Sequence, residues 1–150
     1  MNCKGLLLTL VVCGVTSSVF TAPSTSGEGV SHLSETGVRG MEIRTNLVGD
    51  FYLPATNVRV PGIILLGGSD GEPMRERSAL LASRGYAVLN LFYFGQEPLP
   101  KHFAEVPIEY LTNAVSWLQT REGVDAARTG VIGHSRGAEE NWKPRHVWIL

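Results

Sequence analysis

Cysteine is almost absent: the chain has 2 in 150 residues. Both, Cys3 and Cys13, stand in the first apolar segment, so removal of that segment leaves no thiol and no disulfide framework. The histidines, His32, His102, His134 and His146, are scattered, and neither C-x-x-C nor mixed Cys/His spacing occurs. No metal site or cofactor is therefore expected. An excess of charge is lacking too. A formal net charge of -1 offers nothing to nucleic acid or to an anionic membrane surface, both of which recruit basic protein faces. No apolar run reaches the roughly 18–20 residues that span a bilayer, so no stable membrane span is expected. What is present is ordinary globular material, 43% hydrophobic and 18% charged, enough for one small domain.

The N-terminus reads as an export signal. Lys4 supplies a positive start, Gly5 to Val15 an apolar stretch, and Thr16-Ser17-Ser18 a small polar zone for cleavage, without a clean A-x-A site. Leu10-Val11-Val12-Cys13-Gly14 loosely resembles a lipobox, but Val12 is bulky where a small residue is needed, which disfavours a lipid anchor at Cys13. The expectation is an exported protein, periplasmic or secreted: a signal peptide over 1–22, a flexible linker rich in Ser, Thr, Gly and Pro over 23–40, and a folded domain over 41–150.

Within that domain, Ile43, Leu47, Phe51 and Leu53 suggest two short strands turning at Gly49-Asp50. Ile63 to Leu66 is a continuous apolar run suited to a parallel strand buried on both faces. Gly67-Gly68-Ser69-Asp70-Gly71 follows, then a helix opening at Pro73 and closing at Gly85. Tyr86 to Phe94 is a second buried strand. A helix over Pro107 to Thr120 presents Ile108, Leu111, Val115 and Leu118 along one face. Asp125 to Arg128 makes a turn into a last strand, Thr129 to Gly133. Strands alternating with helices predict an α/β fold with a mostly parallel, doubly wound sheet.

Gly133-His134-Ser135-Arg136-Gly137 follows that last strand and has the form G-x-S-x-G. In a strand-to-helix setting this is a nucleophile elbow, where flanking glycines let the serine take strained backbone angles. Ser135 is the candidate nucleophile. The Arg136 N–H and the glycine-rich loop, at Gly68 and Ser69, are candidate oxyanion donors. A phosphate-binding role for that loop lacks the Lys-Ser/Thr ending of a P-loop. His134 reads as a packing or surface residue, Asp70 as a turn or helix cap, and Arg75, Glu76 and Arg77 as a solvated helix face.

Taken together, Pro61 to Gly71, Ser83 to Val88, Leu99-Pro100, Pro107 to Tyr110, Ala114 to Leu118 and Gly133 to Glu139 resemble the catalytic domain of the acyl-CoA thioester hydrolase and bile-acid-CoA:amino-acid N-acyltransferase family, a branch of the α/β-hydrolases. The basic residue after the serine and Glu139 four residues beyond it carry the likeness most specifically. The resemblance implies an α/β-hydrolase-type sheet, present as its N-terminal half only. It further implies an acyl-enzyme at Ser135 acting on a small acyl thioester or ester. It also implies a triad ordered serine, acid, histidine, of which the acid and base are missing here, since only residues 136–150 follow the nucleophile. Beyond Glu139 the likeness stops: Glu140 to His146 is polar, and Pro144 breaks a helix. The reading is a truncated and inactive hydrolase, its Thr129–Gly133 strand left as an exposed apolar edge. A dienelactone-hydrolase-like or peptidase-like exported hydrolase, or a non-catalytic secreted fragment, stands as the alternative.

Overall fold

A computed structural model describes residues 32–33, 37–138 and 148–149. The expected signal peptide, most of the linker, Glu139, Glu140, Pro144 and His146 lie outside the described residues. The strands are β1 (His32–Leu33), β2 (Val38–Arg44), β3 (Val48–Pro54), β4 (Val60–Leu66), β5 (Ala87–Phe92), β6 (Val124–Gly133) and β7 (Trp148–Ile149), with helices α1 (Arg75–Ser83) and α2 (Ile108–Gln119). They form one 7-stranded sheet in the order β1-β2-β3-β5-β4-β6-β7. The sheet is mixed rather than mostly parallel. β1–β2, β2–β3 and β3–β5 pair antiparallel, while β4–β5, β4–β6 and β6–β7 pair parallel. The connections explain the division: β2 and β3 are joined by a tight turn, which only antiparallel neighbours allow, whereas helical crossovers link β4, β5 and β6.

β4 carries the continuous apolar run and is paired on both sides, so its two faces are both buried. Alternate residues feed two cores. Ile64, Leu66, Leu89 and Leu91 point to the side covered by Leu111, Ala114 and Leu118 of α2. Leu65 and Val88 point to the other, where Ala82 of α1 and Val38 of β2 pack. The α2 stripe is therefore Leu111, Ala114 and Leu118, at helical spacing. Ile108, expected on that face, is 45% exposed.

Several boundaries move. The linker ends before residue 40, because Val38 to Gly40 already belong to β2 and Val38 is buried against the α1 side. The first turn falls at Thr45–Leu47, closed by the Thr45 N–H donating to the Leu47 carbonyl, and not at Gly49-Asp50. Gly49 lies inside β3, where a Cβ would stand 2.5 Å from the Asn90 carbonyl oxygen. The glycine there serves a close approach between strands, not a turn. α1 begins two residues after Pro73, with Met74 at its N-cap. Its first residue, Arg75, is not merely solvated: its Nε donates at 2.8 Å to Oδ2 of the buried Asp50 on β3. The expected turn at Asp125–Arg128 is a bulge within β6, since Pro61 pairs with Asp125 and Gly62 with Thr129. Asp125 stabilises it, accepting from Arg128 at 2.6 Å and from the Ala127 N–H at 3.1 Å. Finally, β6 is not an open edge along its whole length: Gly130 and Val131 pair with Trp148 and Ile149. Among the described residues no helix is long and apolar enough to cross a membrane.

Candidate active site

The site forms where β4 and β6 end side by side. Leu66 and Gly133 are in register, and the His134 N–H donates to the Leu66 carbonyl at 3.0 Å, carrying the pairing one residue past the strand. The chain then reverses. Ser135 sits at φ +53°, the left-handed region, and among the described residues it is the one non-glycine with positive φ. A serine there carries strain of order 1–2 kcal/mol, tolerated only when the surroundings over-determine it. A 3-10 turn over Ser135–Ala138 follows, closed by the Gly137 N–H donating to the His134 carbonyl at 3.0 Å.

Both flanking glycines are required by contact. A Cβ on Gly133 would collide with the Gly137 carbonyl, and one on Gly137 would lie 2.7 Å from the Gly67 oxygen and 2.8 Å from the Leu66 oxygen. The elbow is thus pressed against the loop that leaves β4. Gly68 in that loop faces Ser135, since a Cβ added to it would be 3.4 Å from Ser135 Cβ and 3.3 Å from His134 Nδ1. The structure therefore brings Ser135, Arg136, Gly68 and Ser69 to one place. Gly68 is buried, whereas Ser69, Ser135 and Arg136 are open to solvent.

The loop is held from below. Tyr93, buried, donates its hydroxyl to the Gly67 carbonyl at 2.6 Å. The Gly71 N–H donates to the Gly68 carbonyl at 3.3 Å, and Asp70 accepts the Glu72 N–H at 3.3 Å, so Asp70 braces the turn. The Arg136 guanidinium lies 5.9 Å from the Phe103 ring, and Phe103 meets Tyr93 and Phe94 edge to face. This cation–π contact ties the Arg136 side chain to the aromatic cluster. The Tyr93 anchor was not read from the sequence; a tyrosine at the carboxyl end of a buried strand, beside a glycine loop, was the available signal.

Beside the elbow opens a cleft of about 380 Å³, bounded by Gly68, Met74 and His134 and rimmed by Asp70, Glu72, Glu76, Arg75 and Arg77. That volume suits a small molecule. Its rim carries both signs of charge, so it exerts no one-sided field. Among the described residues no histidine–carboxylate pair is assembled at Ser135, and no cluster of His, Cys, Asp and Glu is placed to hold a metal.

No family model matches the chain. It is 42% identical over 104 residues to rat acyl-coenzyme A amino acid N-acyltransferase 2, which covers 69% of this chain and 25% of that protein. It is 38% identical over 109 residues to mouse acyl-coenzyme A thioesterase 6, covering 72% of this chain and 26% of the relative. The chain thus spans about a quarter of the length of these relatives. The α/β-hydrolase GrgF from Penicillium sp. sh18 superposes with a TM-score of 0.51 at 19% identity, covering 73% of this chain and 37% of GrgF.

Proposed function

This chain belongs to the acyl-CoA thioesterase and acyltransferase-related α/β-hydrolase superfamily, and on that premise we propose that Ser135 is the nucleophile of acyl transfer from a thioester or ester. The observation that carries the reading is the Ser135 backbone, held at φ +53° against Gly68. Strain at a solvent-open serine has a physical use only if that hydroxyl must be presented in one direction. In the reaction Ser135 Oγ attacks the acyl carbonyl carbon, and the carbonyl electron pair moves onto its oxygen. The Arg136 N–H and an N–H of the Gly68–Ser69 segment receive that oxygen. A general base takes the Oγ proton, and collapse expels the thiolate or alkoxide, which carries that proton away. Water or an amine then attacks the acyl-serine, freeing the acyl product and restoring the Ser135 hydroxyl.

A serine hydroxyl needs a base to act at neutral pH. The names of the relatives, acyl-CoA thioesterases and amino acid N-acyltransferases, support a thioester as acyl donor over a simple ester. The basic and apolar start of the chain supports export, which N-terminal sequencing of the protein recovered from outside the cytosol tests. Catalysis is tested by incubating the protein with a fluorophosphonate or an acyl thioester and locating the adduct by peptide mass spectrometry. The reading requires the adduct on Ser135 and its loss in Ser135→Ala; an adduct elsewhere, or one that survives the substitution, refutes it.

A further inference from the structure

Strand β5 reads Ala-Val-Leu-Asn-Leu-Phe and is buried throughout, so Asn90 is a carboxamide set in an apolar strand. It is 1% exposed. Its Oδ1 accepts the Met74 N–H at 3.3 Å, at a helix start that has no side-chain cap of its own. An amide nitrogen cannot accept, so this contact fixes which way the group faces: oxygen toward α1, nitrogen away from it. The Asn90 Nδ2 atom is then buried with no hydrogen-bond partner among the described residues. A buried donor of this kind is retained only where something satisfies it.

Asn90 also lines a small cavity, of about 10 Å³ open to the centre of a water-sized sphere, together with Gly67, Gly71, Glu72, Tyr93 and Phe94. That is about the room one water needs. The roof of the cavity is the loop that faces Ser135. The Gly67 carbonyl keeps a second lone pair after accepting from Tyr93, and the Glu72 carbonyl oxygen lies 3.1 Å from where a Gly67 Cβ would stand. Loop carbonyls therefore crowd the same small volume.

We propose that this cavity holds one ordered water, to which Asn90 donates through Nδ2 and which donates in turn to carbonyls of the Gly67–Glu72 loop. Asn90 then holds both ends of that loop, the downstream end directly at Met74 and the upstream end through the water. It is a positioning residue for the oxyanion donors, a consequence that rests on Ser135 being the nucleophile; the water itself does not.

The test uses the full chain and three readouts: a high-resolution crystal structure, amide hydrogen exchange, and the rate of fluorophosphonate labelling at Ser135. In the wild type, density for a water within hydrogen-bond distance of Asn90 Nδ2 is expected. In Asn90→Leu, the amides of Gly68 to Met74 exchange about tenfold faster while those of α2 keep their protection, and labelling slows about tenfold, the scale of one lost buried hydrogen bond. The leucine also removes the direct bond to the Met74 N–H, so if the amide is an orphan with no water, exchange rises at Met74 alone while Gly68 to Gly71 keep their wild-type rates, and the proposal fails. If Asn90→Leu does not fold, the wild-type density decides alone, and its absence overturns the proposal. A wild type that is not labelled at Ser135 refutes the nucleophile, while density and exchange still decide the water.

Discussion

Replacing Ser135 by glycine should make the protein more stable while removing the hydroxyl proposed as its nucleophile. The serine sits at φ +53°, where a Cβ meets the following carbonyl and costs roughly 1–2 kcal/mol. Glycine relieves that strain but loses about 0.5–1 kcal/mol of extra chain entropy on folding. Ser135 is exposed, so no burial is forfeited, and the balance favours Ser135→Gly by up to about 1 kcal/mol. For a chain of this size that raises Tm by up to about 4 °C. Ser135→Ala keeps the Cβ and should be no more stable than the wild type. Urea unfolding of all three proteins, with equal slopes, measures the differences directly. Glycine no more stable than alanine would show that the elbow is unstrained, and the argument from backbone geometry to nucleophile would fall.

Other substitutions probe neighbouring parts. Gly137→Ala forces a methyl to 2.7 Å from the Gly67 oxygen, so we expect about 1–3 kcal/mol of destabilisation and loss of Ser135 labelling as the elbow leaves the loop. Leu118→Ala, at a fully buried position between α2 and β4, should cost about 2–5 kcal/mol in urea melts without altering the local geometry at Ser135. Tyr110 accepts from the Val48 N–H at 2.9 Å and donates to the Phe92 carbonyl at 2.8 Å, and burial raises its pKa, opposed by the Val48 contact and by Arg44. The folded protein then holds the phenolic proton more tightly than the unfolded chain, so this contribution is complete below about pH 10 and lost as pH rises toward the folded pKa. The stability advantage of wild type over Tyr110→Phe should therefore hold up to about pH 10 and shrink only above it in parallel urea titrations.

The parts of the molecule visible in the sequence are those set by local periodicity and turn chemistry. Ile63 to Leu66 suit a strand buried on both faces, Leu111 and Leu118 mark one face of a helix, and Gly133 to Gly137 declares a turn with a serine at its tip. What escaped was set by partners distant in the chain. Gly49 looked like a turn residue because glycine usually is one; its actual neighbour is the backbone of Asn90. Val38 lay in linker-like composition, and only the α1 face of the sheet explains its burial. Arg75 belonged to a charged run, and its buried partner Asp50 is on another strand. At the site the elbow was legible from its own five residues. Its supports, Tyr93 beneath Gly67 and Asn90 beside Met74, required the sheet order.

The place of β4 between β5 and β6 has a consequence for the order of events during synthesis. Its neighbour on one side is made soon after it, but on the other Val60 waits for Val124, and Leu66 for Gly133. The β2–β3 hairpin, by contrast, closes within its own short stretch. Pairings between residues so far apart form late, since a long loop must close before any contact rewards it. A nascent chain that has released β4 but not β6 thus presents Ile63 to Leu66 with one side unpaired, a surface that chaperones and other nascent chains recognise. Ser135 follows directly on that last partner, so the segment that completes the pairing of β4 also sets the strained turn at the serine.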